Sequence, residues 1–160
     1  MRAGFNPRRQ GDLGELLALE WLVSVGAALY LPLGHSPDAD IVAEFDERLL
    51  RVQVKTCGFK RNGRWEVELG THGGNQSWNG LVKRFSSQRV DFVFVHVADG
   101  RRWFIPSDQV EGARKILLGG PNYAAFEVEP GRPFEAASGH ASLDSIAARR
   151  GSRAVKGVRL

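Results

Sequence analysis

The sequence has little cysteine, no long apolar run and no internal repeat, and each lack narrows the field. One cysteine in 160 residues, Cys57, rules out an internal disulfide. It stands without an obvious His partner and reads as a structural thiol rather than a nucleophile. Nowhere do apolar residues run for the roughly 20 positions that a membrane-spanning helix needs. The basic start MRAGFNPRR is followed by no apolar stretch of the kind a signal peptide carries. A cytoplasmic protein with no membrane attachment is expected. The Gly-rich stretch 70–80, with His72, lacks the spacing of a phosphate-binding loop and gets no nucleotide role. Excess charge is also missing from most of the chain. Residues 1–130 hold 16 basic and 16 acidic side chains, so the net charge of +4 lies wholly in 131–160. A basic segment there suits a polyanion, while the body is neutral.

What is present describes an ordinary globular protein, with 42% hydrophobic and 25% charged residues. The length predicts one domain, residues 1–130, followed by a flexible basic tail, 131–160, rich in Gly, Ala, Ser and Arg. At most a short helix is expected within the tail, at 143–150.

The most informative stretch is 40–55, DIVAEFDERLLRVQVK. Two alternating runs flank a polar centre at Asp46 and Glu47, which predicts a β-hairpin. A two-residue loop sets Phe45 against Arg48, Ala43 against Leu50, Ile41 against Val52 and Asp40 against Gln53; a four-residue loop with the same centre fits as well. Opposed residues share a face. One face then carries Ile41, Ala43, Phe45, Leu50, Val52 and Val54 and is expected to be wholly apolar. A slip by one residue would mix the faces, which a half-buried sheet resists. The other face gathers Asp40, Gln53 and Lys55 at one end, with Val42, Glu44, Leu49 and Arg51 beyond. A carboxylate, a carboxamide and an ammonium with opposed Cβ atoms roughly 5 Å apart suit a hard divalent cation beside an anionic substrate. The plainer reading is the solvated face of a hairpin.

Around this hairpin the chain reads in order. Residues 5–11 form an entry loop, and Asp12, an N-cap in preference to a ligand, opens a helix to about Val25. Its apolar positions, Leu13, Leu16, Leu17, Leu19, Trp21, Leu22 and Val23, nearly encircle the axis and predict burial all round. Glu15 among them would need a cation or hydrogen bonds, unless it lies exposed near the helix start. Gly26 ends the helix, 28–31 form a strand, and the following loop carries His35 and Asp38, a rival to Asp40. Asn62-Gly63 marks a second hairpin within 56–69, its turn crowded by Lys60, Arg61 and Arg64, which grip phosphates or merely solvate the turn. A helix is expected at 78–88, a central strand in VDFVFVHV, a turn at Asp99-Gly100, a paired strand at 102–105, a helical segment at 107–118 and an edge strand at 123–128.

A helix bearing Glu15, a strand headed by Asp40 and the next strand carrying Gln53-Val54-Lys55, before a buried strand, together resemble the PD-(D/E)xK nuclease superfamily. Within it the QVK triplet is most similar to the group I intron homing endonucleases. The resemblance implies an α/β fold with a restriction-endonuclease-like three-layer core, a mixed central sheet flanked by helices. It also implies hydrolysis of DNA phosphodiesters with Mg²⁺, or Mn²⁺, as cofactor. Glu15, Asp40, Gln53 and Lys55 are then the catalytic set, and Glu15, Asp40, Gln53 and the Val54 carbonyl the metal set. Lys55 would orient the attacking water and balance charge on the phosphate. Arg8, Arg9, Lys60, Arg61, Lys83, Arg84 and Arg89 would contact DNA, in a homo-oligomer, dimer or tetramer. Two departures stand out: Pro37 precedes Asp38 rather than Asp40, and Gln53 replaces a carboxylate. A Holliday junction resolvase, and a DNA-binding module that keeps the fold without cleaving, are the other readings.

Overall fold

The computed structural model describes residues 7–34, 38–72 and 82–134, with the backbone alone at 71–72 and 82–83. Helix α1 is Pro7–Ser24. It begins earlier than Asp12, so Asp12 is an internal helix residue and not the cap. Proline is preorganised for a first helical turn, and Arg8, Arg9 and Gln10 lack the apolar period that would announce it. Gly14, Leu17, Ala18, Trp21 and Leu22 are buried on one face, while Leu16 and Val23 are 64% and 58% exposed. Burial all round is thus corrected to a single stripe. At its end Gly26 takes φ +94°. The Gly26 N–H bonds the Val23 carbonyl and the Ala27 N–H the Leu22 carbonyl, both at 3.0 Å, a Schellman cap.

Strands β1 (Ala28–Tyr30), β2 (Ile41–Phe45) and β3 (Arg48–Cys57) follow. The β2–β3 register is the unslipped one, Ile41 opposite Val52, Ala43 opposite Leu50 and Phe45 opposite Arg48. Arg48 therefore shares the face expected to be wholly apolar, at its exposed end. Asp46 and Glu47 both adopt positive φ, 46° and 64°, the signs a two-residue type I′ turn requires. The second hairpin is β4 (Lys60–Arg61) and β5 (Arg64–Glu68), with Asn62 and Gly63 also at positive φ. Short strands β6 (Thr71–His72) and β7 (Val82–Lys83) pair with each other. Strand β8 (Phe92–Val97) runs parallel to β3, and β9 (Arg102–Pro106) returns antiparallel.

The helix expected at 78–88 is absent from its described part. Beyond β7 the backbone donors go elsewhere: Phe85 N–H to the Ala113 carbonyl and Ser87 N–H to the Glu111 carboxylate. The helical segment at 107–118 is also corrected. A single 3₁₀ turn, Ser107–Val110, precedes strand β10 (Lys115–Leu118). Gly112 and Gly119 at positive φ isolate that strand, and Ile116 and Leu118 point inward with period two. The edge strand at 123–128 shrinks to β11 (Glu127–Val128) after a 3₁₀ segment, Pro121–Phe126.

The central sheet runs β1-β2-β3-β8-β9-β11. Alternation along β8 and β9 divides the core. Val93, Val95, Val97, Trp103 and Ile105 join Trp65, Val67, Ile116 and Leu118 from the small sheet β10-β5-β4. Phe94 and Val52 join Trp21, Leu22 and Ala18 of α1. This is the three-layer α/β arrangement with a mixed sheet. Among the described residues one layer is an α-helix and the other a small sheet with 3₁₀ turns, where helices were expected on both sides. The segment expected to be tail starts packed: the Gly131 and Phe134 N–H groups bond the Gly100 and Ala98 carbonyls. Its remainder, 135–160, lies outside the described residues, as do His35 and Trp78.

Candidate active site

Strand β3 changes partners at Val52. Its first half pairs with β2, and from Val52 to Cys57 it pairs with β8. Asp40 sits where β2 ends. Its N–H bonds the Val52 carbonyl at 2.9 Å, and its Oδ2 accepts the Val54 N–H at 2.7 Å. Asp40 therefore brackets Gln53 rather than lying squarely opposite it. In an extended strand the N–H and C=O of one residue leave the same edge, so the Val54 carbonyl also faces the side where β2 has stopped.

Burial pushes the Asp40 carboxyl up, against the pull of the Val54 N–H and of Lys55. Burial likewise pushes the Lys55 ammonium down, opposed by Asp40 and by Glu68 at the end of β5. Gln53 is only 7% exposed, and its Oε1 is buried without a hydrogen-bond partner among the described residues. It lines a cavity of about 10 Å³ with Asp38, Leu69, Phe85 and Arg89. Over this cavity Asp38 pairs with Arg89 at 2.9 Å, and Arg89 also donates to the Arg84 carbonyl. Asp38 is thus held by an arginine, whereas Asp40 is held by the backbone of the QVK strand.

Glu15 reaches the site from α1. It is exposed, yet partial desolvation raises its pKa, with Asp40 and then Asp12 adding to the rise. The three groups are therefore linked electrostatically in a chain, Glu15 with Asp40 and Asp40 with Lys55. No three His, Cys, Asp or Glu side chains gather as a metal site among the described residues. The oxygen donors these elements offer are the Glu15 and Asp40 carboxylates, the Val54 carbonyl on the open edge of β3 and, in the cavity beside Asp38, the Gln53 Oε1, which has no partner among the described residues. Hard oxygen donors of this kind, with a buried carboxylate whose charge is poorly compensated, fit a divalent cation.

The proposed DNA contacts are dispersed. Arg8 and Arg9 are exposed on the first turn of α1. Lys60 lies 4.3 Å from the Trp65 ring centroid and Arg61 pairs with Glu66 at 3.1 Å. Arg84 is exposed, Arg89 is engaged as above, and the Lys83 side chain is outside the description. Glu68 is a neighbour of Lys55 that the sequence did not single out. Its alternation with Trp65, Val67 and Leu69 marked it only as outward-facing.

A family model described as PD-(D/E)XK endonuclease matches residues 5–118. The chain belongs to this family of endonucleases. Among solved structures it is similar to a bacterial homing endonuclease, I-Ssp6803I, with a TM-score of 0.58 and 18% identity over 92% of this chain and 96% of that one. At that identity the likeness establishes the restriction-endonuclease-like fold. No curated protein matches. No helix among the described residues is long and apolar enough to cross a membrane.

Proposed function

We propose that the protein is a divalent-metal-dependent DNA endonuclease, with Mg²⁺ or Mn²⁺ as the ion, and that it cleaves a specific double-stranded site in the homing manner. The observation that carries this reading is the end of β2. There the Asp40 carboxylate is bonded to the QVK strand and interacts with a desolvated lysine, and the same strand carries a buried amide oxygen without a partner among the described residues, in a chain of an endonuclease family.

Glu15, Asp40, Gln53 and the Val54 carbonyl would hold the ion, which when bound supplies Lewis-acid polarisation of the phosphate. Lys55 does the remaining electrostatic work. Its ammonium hydrogen-bonds the phosphate oxygen on which charge grows as water attacks phosphorus and the bond to the leaving ester oxygen breaks. Asp40 favours the charged form of Lys55 against the effect of burial and, through Val54, fixes the strand that aims it. Arg8, Arg9, Lys60, Arg61, Lys83, Arg84 and Arg89 would bind backbone phosphates. One site cuts one strand, so double-strand cleavage calls for a homo-oligomer.

The test is incubation with supercoiled plasmid and with a synthetic four-way junction, in Mg²⁺ and in chelator, beside Lys55→Ala. Metal-dependent cutting that falls at least about 100-fold in the variant is expected. Preference for the junction would replace the homing reading with a resolvase. DNA binding without cutting of any substrate, including a library of random duplexes, would leave a binding module.

A further inference from the structure

Gly14 lies in the interior of α1, where glycine destabilises a helix relative to alanine, so its presence asks for a reason. Its backbone is ordinary helix and needs no special φ. The reason is a close approach. A Cβ at position 14 would stand 2.2 Å from the Thr56 Cγ2, and 3.5 and 3.6 Å from the Thr56 Cβ and Oγ1. Gly11, one turn earlier, has nothing within 4 Å of its would-be Cβ. The same Thr56 hydroxyl accepts from the Gln10 Nε2 at 3.3 Å and donates to the Gln10 carbonyl at 3.5 Å. Thr56 is β-branched and stiff at χ1, and a swing that cleared its methyl would forfeit both contacts with Gln10.

The placement is specific. Gly14 precedes Glu15, and Thr56 follows Lys55. We propose that the Gly14–Thr56 contact is a positioning device that sets α1 at the distance from β3 needed to bring Glu15 to Asp40 and Lys55, with Gln10 holding the Thr56 rotamer. Neither Gly14 nor Thr56 touches the reacting atoms. The inference rests on the nuclease reading above and names what holds its parts in register. Displacement of a catalytic group by about 1 Å can cost 10²-fold in rate, and a methyl inserted at 2.2 Å forces a shift of that order.

The test compares wild type with Gly14→Ala, Thr56→Ser, the Gly14→Ala/Thr56→Ser double variant and Gly11→Ala, each checked for folding by circular dichroism. Cleavage is measured in Mg²⁺ for kcat and KM, and DNA affinity separately in non-cleaving Ca²⁺ by fluorescence anisotropy. Gly14→Ala is expected to lose at least about 10-fold in kcat, with KM and Ca²⁺-supported affinity unchanged. The double variant, which deletes the clashing methyl, is expected to recover to within about 3-fold of wild type, since the Cβ introduced at position 14 would then meet only ordinary contacts. Gly11→Ala is expected to cut as wild type does. Equal kcat in Gly14→Ala and Gly11→Ala, or a loss that Thr56→Ser does not repair, would overturn the inference while leaving the nuclease reading intact. A wild type that never cuts, or an Asp40→Asn variant that cuts as well as wild type, would overturn both. If Gly14→Ala fails to fold, Thr56→Ile presses on the same contact from the strand side and is expected to show the same split; an unchanged kcat there would count against the inference.

Discussion

Lys55 separates what a residue does for the fold from what it does for chemistry. Burial holds its pKa below the ordinary lysine value, so the unfolded chain binds that proton more tightly than the folded one. The cost to stability is therefore full below the folded pKa and fades as the pH rises towards about 10.4. Lys55→Met alone is expected to abolish cleavage and to lower stability, because it leaves the buried Asp40 carboxylate without that cation. Lys55→Met/Asp40→Asn, which removes both charges, is expected to raise stability in metal-free buffer by about 1 kcal/mol, read from urea unfolding; a loss in the double variant would show that the charged pair is structural. Asp40, Gln53 and Lys55 were legible because a period-two pattern over two strands fixes register, and register fixes faces. The exact relation of Asp40 to Gln53 was not legible, because the ladder ends one residue short and the Asp40 side chain continues it. Nor was the Gly14–Thr56 contact, which joins residues that no local pattern relates.

At the scale of elements, the β2–β3 turn carries the clearest strain. Glu47 adopts φ 64°, a conformation that glycine takes without steric cost and a glutamate does not. Glu47→Gly is expected to stabilise the protein by about 1 kcal/mol with cleavage unchanged, checked by urea unfolding and the plasmid assay; a neutral or lower stability would mean that the turn is held by contacts of the Glu47 side chain. The strand expectations succeeded where runs were long, alternating in β3 and nearly continuously apolar in β8. They failed at β10, where four residues, KILL, carry too few periods to oppose the helical propensity of leucine and lysine. The helix expected at 78–88 rested on three apolar positions, and Phe85 turned out to enter the core from an irregular segment whose hydrogen bonds go to Ala113 and Glu111.

For the molecule as a whole, His96 links the central sheet to the chain beyond the second core. Its ring is fully buried on β8, with Nε2–H donating to the Arg132 carbonyl at 2.8 Å and Nδ1 accepting from the Arg102 Nε at 3.2 Å. These partners define a neutral imidazole. Burial lowers its pKa and Arg102 lowers it further, against the Arg132 carbonyl, Glu20 and Asp99. The unfolded chain takes up a proton as pH falls through about 6.5 and the folded one resists, so stability present above that pH is lost as the pH falls towards the folded value. The midpoint of thermal unfolding is expected to fall as the pH drops below about 6.5, and the slope should flatten in His96→Gln; an unchanged slope would place the acid sensitivity elsewhere. None of this was visible beforehand, since the segment 131–134 carries a tail-like composition and packs through backbone groups that composition does not report.

The change of partners along β3 has one more consequence. Where β2 stops, the sheet contains a dislocation: a strand that is in register with β8 on one edge and, on the other, is met by a single carboxylate instead of a neighbour. Extending β2 by two paired residues would heal that fault and strengthen the ladder, but the added backbone would cover the Val54 edge and close the gap that Asp40 keeps open. Stability and activity thus compete for the same hydrogen-bonding groups, and a sequence optimised for the sheet would tend to erase the site.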